Sequence, residues 1–419
     1  MRILVIGGGG REHAICWALK KSPKVQELYC APGNGGIAGV AECVPIQVNQ
    51  FAEIAAFAIS HAVDLVVIGP DDPLSEGIVD YLEAQQISVF GPRQNAAIIE
   101  SSKVFSKHLF KKYNIPSAAY ETFDNYEAAL AYMRNQQIPI VIKADGLAAG
   151  KGVVIAQSME EAEKALHDMM VVKIFGDSGN QVVIEEFMTG QEMSILSFVD
   201  GAVVRPMVAA QDHKTVFDND LGPNTGGMGT YSPLPHIEQS IIDEAIETII
   251  KPTAAAMVSE GRPFRGILFA GLMLTPQGPR TIEFNARFGD PETQVVLPRL
   301  KTDLLDIFLA AVDGTLEQID IAWSDEAAVC VVLASEGYPG SYPKGLPIQG
   351  LDEVQDALVF HAGTALKDGA IVTNGGRVLG ITALGSDIAD ARAKAYAAAE
   401  RIQFQGKHSR TDIAKKALV

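Results

Sequence analysis

Between residues 280 and 294 the chain reads RTIEFNARFGDPETQ, with polar side chains at alternate positions. If Thr281 to Arg287 forms a strand, Glu283, Asn285 and Arg287 share one face, and Ile282, Phe284 and Ala286 face a core. A carboxylate beside an amide oxygen offers hard ligands suited to Mg2+, an ion that takes few protein groups and fills its shell from phosphate oxygens and water. Arg287 next to them can meet a phosphate or carboxylate through two parallel hydrogen bonds. A solvated polar strand face would show the same alternation. The acidic, turn-forming sequel FGDPE points instead to a site.

Three other segments carry possible chemistry. VIKADGLAAGKGVVI holds Lys143, Gly146, Gly150, Lys151 and Gly152 and looks like a P-loop. Its glycine spacing is one residue short, Gly152 replaces the Ser/Thr that would hold Mg2+, and strands flank it on both sides. Such a hairpin tip can fold over phosphates while Lys143 reaches the same charges, although a long tip can also be decorative. VVIEEFMTGQEMS ends a strand in Glu185, Glu186 and Phe187, with Glu192 after a Thr-Gly turn. It could give backbone hydrogen bonds to a purine edge and a carboxylate to ribose; a solvated turn is the alternative. Gly7 to Gly10 close a strand and open a helix, so backbone N–H groups could face an anion. A dinucleotide fingerprint fits badly there, because Glu12 stands at the third glycine and no acid follows Ala31-Pro32. A phosphate-bearing ligand other than NAD suits these glycines better, with a ligand-free turn as the competing reading. None of the eight histidines forms a catalytic or metal constellation.

The elements that must position these residues follow from periodicity. In the first hundred residues RILVIG, ELYCA, DLVVIG and SVFG alternate with helical stretches, which predicts an open parallel α/β sheet with ligands beyond the strand ends. From about Glu100 to Val199 a helix with Lys103 and Lys107, a long-tipped β-hairpin and further strands suggest a small α+β unit. Periodicity disappears between Ala209 and Pro233, a stretch long enough to be functional. A helix over IIDEAIETIIKPTAAAMVSEG follows, and FAGLML then pairs with RTIEFNAR. The tail predicts strands AVCVVLAS and ALVFHAG, a hairpin around Asn374-Gly375-Gly376, and a helix from Ile388 to about Ile402.

Length and composition bound the reading. The 419 residues exceed one ordinary core and predict two to four domains, and 47% hydrophobic with 20% charged residues describes a folded chain. A net charge of −17 argues against nonspecific nucleic-acid binding, though not against a locally basic pocket. Cys16, Cys30, Cys43 and Cys330 lack metal-site spacing and read as reduced thiols. No signal-peptide pattern or membrane-length apolar run is evident, so a cytoplasmic protein is expected.

Over roughly Glu100 to Lys301 the chain resembles the ATP-grasp ligases, through Ser102-Lys103-x-Phe105-x-Lys107, Lys143 with its glycine-rich hairpin, Glu185-Glu186-Phe187 with Glu192, and Glu283-x-Asn285. From end to end it is similar to the phosphoribosylamine–glycine ligase (glycinamide ribonucleotide synthetase) family. GGGGREHA, APGNGG, GPDDPL, KADGLAAGKGVV, HKTVFDNDLGPNTGGMGTYSP, EFNARFGDPETQ, HAGT and TNGGRVLGITALG carry that likeness. The resemblance implies a multidomain α/β and α+β fold: an N-terminal α/β domain over 1–100, an ATP-grasp central domain over 101–120 and 191–324, a lid over 121–190, and a small α+β domain over 325–419. It implies ligation of glycine to 5-phosphoribosylamine through glycyl phosphate, giving glycinamide ribonucleotide, ADP and phosphate. ATP would meet Lys103, Lys143, Gly146, Gly150, Lys151, Gly152, Glu185, Glu186, Phe187 and Glu192; Glu283 and Asn285 would hold Mg2+ or Mn2+. Gly8, Gly9, Gly10, Asn34, Asp212, Lys214, Gly226, Gly227, Arg287, Gly289 and Asp290 would shape the substrate sites, with Arg287, Lys143 and Asp290 acting in catalysis. Partners would be small molecules only, with no nucleic acid or membrane, and the enzyme a monomer. A sibling carboxylase would keep the nucleotide motifs but not HKTVFDNDLGPNTGGMG; a nicotinamide oxidoreductase would need the missing acid; a non-catalytic nucleotide binder would bind without turnover.

Overall fold

In the computed structural model, residues 1–146 and 152–418 are described. The expected ATP contacts Gly150 and Lys151 lie outside them. The first sheet contains β1 (Arg2–Gly7), β2 (Glu27–Pro32), β3 (Glu42–Cys43), β4 (Leu65–Ile68) and β5 (Val89–Phe90), parallel, in the order β3-β2-β1-β4-β5. Helices cover both faces of such a sheet, so β1 and β4 are apolar runs buried along nearly their whole length. The two-residue edge strand β3 has no such run and no signal in the sequence. The chain leaves β1 on one side toward β2 and later returns on the other at β4. That reversal sets the loop after Gly7 beside the loop after Ile68, where sheets of this kind open a crevice.

Two helices, Gln94–Ser101 and Lys103–Tyr113, lead out of this layer. Ser102 caps the second by accepting the Phe105 N–H at 3.0 Å, and Asn114 ends it in the left-handed conformation. Next come β6 (Tyr120–Phe123), β7 (Ile140–Ala144), β8 (Val153–Ala156) and β9 (Val182–Glu186), an antiparallel sheet in the order β6-β9-β7-β8. Helices Tyr126–Met133 and Met159–His167 complete a unit whose buried Ala129, Met133, Ile142, Leu166 and Ile184 pack as a cluster of their own.

β10 (Gln191–Asp200) and β11 (Val203–Pro206) begin a third sheet. The aperiodic stretch that follows holds four short strands: β12 (Gln211–Asp212), β13 (Thr215–Phe217), β14 (Leu221–Asn224) and β15 (Gly229–Ser232). β13 and β14 form a two-stranded hairpin, whereas β12 and β15 join a sheet completed much later in the chain. The expected single helix before the next hairpin is Gln239–Ala245 and Lys251–Ser259 with a π turn over Ile246–Ile250 between them. Pro252, lacking an N–H, sits just after that widened turn. β16 (Arg265–Thr275) and β17 (Gly278–Asn285) pair antiparallel as expected, giving the order β11-β10-β16-β17.

The C-terminal part adds β18 (Ala327–Ala334), β19 (Leu358–His361), β20 (Thr364–Lys367), β21 (Ala370–Thr373) and β22 (Arg377–Gly385). Its main sheet runs β12-β15-β18-β22-β19, and helix Ile388–Arg401 packs on β18 and β22. The expected hairpin around Asn374-Gly375-Gly376 is not there. β21 pairs with β20 through a turn at Asp368-Gly369, and residues 374–376 pass the chain on to β22 in the other sheet. Both turn residues have positive φ, 51° and 79°, the conformation a two-residue hairpin of this hand demands. Among the described residues no helix is long and apolar enough to cross a membrane.

Candidate active site

A cavity of 260 Å3 lies where β7, β9, β17, the helices over Gln94–Tyr113 and the 212–226 segment converge. One wall is cationic. Lys103, at the start of its helix, donates to the Gly146 carbonyl at 2.9 Å, and Lys107 follows one turn later. Lys143 of β7 and Lys107 both face Glu185 of β9, with Nζ–carboxylate distances of 3.0 and 3.2 Å. Lys107, Lys143 and Glu185 are all buried, and among the described residues Lys107 Nζ and Glu185 Oε1 have no hydrogen-bond partner beyond these ion-pair contacts. Burial pushes the Lys107 amine down to about 8 against the pull of Glu185. Burial also lowers Lys103. Such clustered, desolvated ammonium groups with unused donors are suited to a polyanion such as a triphosphate.

The opposite wall comes from β17. Glu283 and Asn285 line the cavity, and Phe284 between them is buried, as the alternation requires. Burial works against the Glu283 carboxylate, but Lys214, Lys143, Lys103 and Arg287 outweigh it and hold its pKa below the ordinary range. Arg287, two residues past the strand end, donates to Asn285 Oδ1 at 3.2 Å and pairs with Glu100 at 3.0 Å. The other Glu100 oxygen accepts the Ala286 N–H at 2.7 Å. Burial raises the Glu100 pKa in spite of Arg287. Lys214 pairs with Glu192 at 2.5 Å; burial disfavours its charge, but Glu192, Asp212 and Glu283 raise its pKa overall.

Asp290 joins three parts of the chain. Its carboxylate accepts the Arg11 N–H at 3.2 Å and the Gln294 amide at 2.9 Å, and it pairs with Arg377 at 3.2 Å. Burial would raise its pKa, but Arg377 and Arg11 hold it low. The same Arg377 donates to the Gly226 carbonyl at 2.6 Å. At the N-terminal glycines, Glu12 accepts the Gly9 N–H at 2.6 Å, so carboxylates of Glu12 and Asp290 already serve the helix start. Gly8 packs so closely that a Cβ there would lie 2.5 Å from the Gly33 carbonyl oxygen. The Asn34 amide donates to the carbonyls of Gly8 at 2.9 Å and His361 at 2.8 Å, tying the loops after β1 and β2 to the end of β19.

The cavity thus gathers Lys103, Lys143, Gly146, Gly152, Glu185, Asp212, Lys214, Gly226, Glu283, Asn285, Arg287 and Asp290. Gly8, Gly9, Gly10, Asn34, Phe187, Glu192, Gly227 and Gly289 are not among its lining residues. Glu186 turns outward, accepting the Ala119 N–H at 2.9 Å and Arg280 at 2.8 Å. Sequence reasoning did not single out Asp71, Glu100 and Glu292, which also line the cavity, or Arg11 and Arg377, which brace it. Asp71 sat in the loop signal GPDDPL and Arg377 after the 374–376 glycine turn; Glu100, next to last in its helix, gave no signal. His13, His213 and His361 are buried, and burial depresses their pKa values to about 3, 4 and 4, so they stay neutral. All four cysteines are free.

Among the described residues no group of three or more His, Cys, Asp or Glu side chains is arranged to hold a metal ion. Glu283 and Asn285 fit Mg2+ or Mn2+ as two oxygen donors whose remaining positions phosphate oxygens and water would fill.

Sequence models of the phosphoribosylglycinamide synthetase N domain, ATP-grasp (A) domain and C domain match residues 1–100, 101–293 and 328–416. The phosphoribosylamine–glycine ligase of Caldanaerobacter subterraneus subsp. tengcongensis is 50% identical over 414 residues, covering 99% of each chain. That of Agrobacterium fabrum is 49% identical, covering 100% of this chain and 99% of its own. The crystal structure of phosphoribosylamine–glycine ligase from Thermotoga maritima superimposes with a TM-score of 0.88 at 35% identity, covering 99% of this chain and 100% of its own. A biotin carboxylase from Campylobacter jejuni shares the fold, with a TM-score of 0.76 at 15% identity, covering 97% of this chain and 92% of its own.

Proposed function

The chain belongs to the phosphoribosylglycinamide synthetase family, and from that premise we propose how its cleft divides the work of the reaction. It is an ATP-grasp carbon–nitrogen ligase that joins glycine to phosphoribosylamine at the expense of ATP in purine biosynthesis. Membership of the ATP-grasp ligases implies use of ATP and a divalent metal.

A carboxylate does not acylate an amine at neutral pH, because its oxygen is a poor leaving group. Transfer of the γ-phosphoryl group to glycine forms an O–P bond, breaks the bond to ADP and leaves glycyl phosphate. The amine then forms the C–N bond as phosphate departs. Phosphoryl transfer needs positioning and charge neutralisation more than a covalent nucleophile. Lys103 and Lys143 hold the phosphates of ATP, with Gly146 and Gly152 letting the hairpin approach them. Glu185 and the backbone at Glu186–Phe187 take the adenine, and Glu192 takes the ribose. Mg2+ or Mn2+ held by Glu283 and Asn285 would neutralise phosphate charge. Arg287 orients the carboxylate being phosphorylated, and Asp290 fixes the loop that carries it. Asp212, Lys214, Gly226, Gly227 and Gly289 bound the glycine side, and Gly8, Gly9, Gly10 and Asn34 the phosphoribosylamine side. What supports this division is Glu283, Asn285 and Arg287 facing Lys103, Lys143 and Lys214 across one cavity.

The residues divide into an N-terminal domain over 1–100, a central domain over 101–120 and 191–324, a lid over 121–190 and a C-terminal domain over 325–419. The lid's separate apolar cluster supports its motion as a unit that shields the acyl phosphate from water. The enzyme works as a monomer in the cytoplasm on glycine, phosphoribosylamine and ATP, and engages neither nucleic acid nor membrane.

Phosphate release tests this reading, with Mg-ATP, glycine, and phosphoribosylamine generated in place from ribose 5-phosphate and ammonia, each omitted in turn. Release should need glycine and the amine together; release driven by bicarbonate instead would overturn the substrate assignment.

A further inference from the structure

Forming the C–N bond leaves a proton on the attacking nitrogen, and the roles assigned above provide no group to remove it. Most carboxylates around the cavity are already engaged. Glu283 is ringed by four cations, Asp290 serves three donors, and Glu100 is tied to Arg287 and the Ala286 N–H. Asp212 has Lys214 as its leading opposite charge. Glu292 is the most deeply buried of this group: it is 4% exposed, lines the same cavity, and forms no ion pair among the described residues. It lies folded over Gly289, where a Cβ would sit 2.4 Å from Glu292 Oε2, so only glycine leaves that carboxylate its place.

We propose that Glu292 is the general base for the second step, accepting the proton from the phosphoribosylamine nitrogen as that nitrogen attacks the glycyl phosphate carbonyl. This rests on the ligase reading above. The nitrogen lone pair forms the C–N bond, the C–O bond to phosphate breaks with its electron pair leaving on phosphate, and the N–H proton passes to Glu292 and then to solvent. The charged groups facing Glu292 are Asp212, Lys214 and Arg287. Burial and then Asp212 push its carboxyl up to about 8, with its own backbone N–H, Lys214 and Arg287 opposing them, so it can take up and give back a proton near neutrality.

The test separates the two steps. Hydroxylamine traps glycyl phosphate as glycine hydroxamate and, as a weakly basic nucleophile, gives up its proton to water without help. Glu292→Gln should slow phosphoribosylamine-dependent turnover at least about 100-fold while hydroxamate formation from ATP, glycine and hydroxylamine stays within about threefold. Formate should partly restore the amine step in Glu292→Ala, which a merely structural role would not allow. If Glu292→Gln fails to fold, Glu292→Asp carries the same comparison. Parallel loss of both steps, or near-normal turnover with phosphoribosylamine, would overturn the proposal. Wild-type enzyme that makes no glycinamide ribonucleotide from ATP, glycine and phosphoribosylamine would instead overturn the ligase reading itself.

Discussion

Glu283 is a carboxylate kept ionised inside a buried cleft by four neighbouring cations, and this fixes what its loss would do. Replacing it with glutamine removes the anion and leaves the lysines in surplus, so ATP should still bind while metal no longer binds productively. Turnover of Glu283→Gln should fall at least about 100-fold with little change in melting temperature, as expected when charge stabilisation of the transition state is lost. A metal titration run alongside checks this, and near-normal activity at ordinary Mg2+ would remove the metal assignment. Glu283, Asn285 and Arg287 were legible in the sequence because a period-two pattern is local. Glu100 was not, and Glu292 only as the end of the acidic turn FGDPE, because what marks them is company: Arg287 for one, Asp212 and Lys214 for the other. Those neighbours come from separate elements and meet only in the fold.

Among the elements, the loop after β1 depends on backbone contact more than on side chains. A side chain at Gly8 would drive its Cβ into the Gly33 carbonyl, and neither main chain can yield without disturbing a strand end. Gly8→Val should therefore destabilise the protein by about 1–3 kcal/mol, read from denaturant midpoints; an unchanged midpoint would mean that the loop is looser than this packing. The parallel strands were legible because burial on both faces writes an apolar run. Strands β12 to β15 were hidden for the opposite reason. They are short and carry little alternation, and β15 is held by β18, which lies in another part of the chain. The C-terminal hairpin was misplaced because two turn signals compete there. Asn374-Gly375 has the favoured composition, but Asp368-Gly369 adopts the left-handed pair of conformations, and strand pairing decided between them.

Across the whole molecule, the tail is fastened to the β13–β14 hairpin by Arg410, a guanidinium with no exposed side-chain surface. It pairs with Asp412 at 2.8 Å and Asp220 at 3.1 Å, and Lys416 also reaches Asp220, at 2.6 Å. Burial would raise the Asp412 carboxyl, but the Arg410 hydrogen bond, the Asn219 N–H and the Arg410 charge hold it well below its ordinary range. A carboxyl lowered by folding adds stability above its unfolded pKa, and that contribution is lost as pH falls through the folded value. Asp412→Asn should thus lower the melting temperature at neutral pH and flatten its decline below about pH 4; parallel wild-type and variant curves would refute the clasp. Net charge shapes how substrate arrives. A body carrying −17 repels a triphosphate at long range, whereas Lys103, Lys107, Lys143 and Lys214 are set inside the cleft. With fields screened over about 8 Å at physiological salt, the nucleotide feels little of either until it reaches the mouth. Capture is then a short-range event, in which the surrounding electrolyte hides the shell and leaves the lysines to do the attracting.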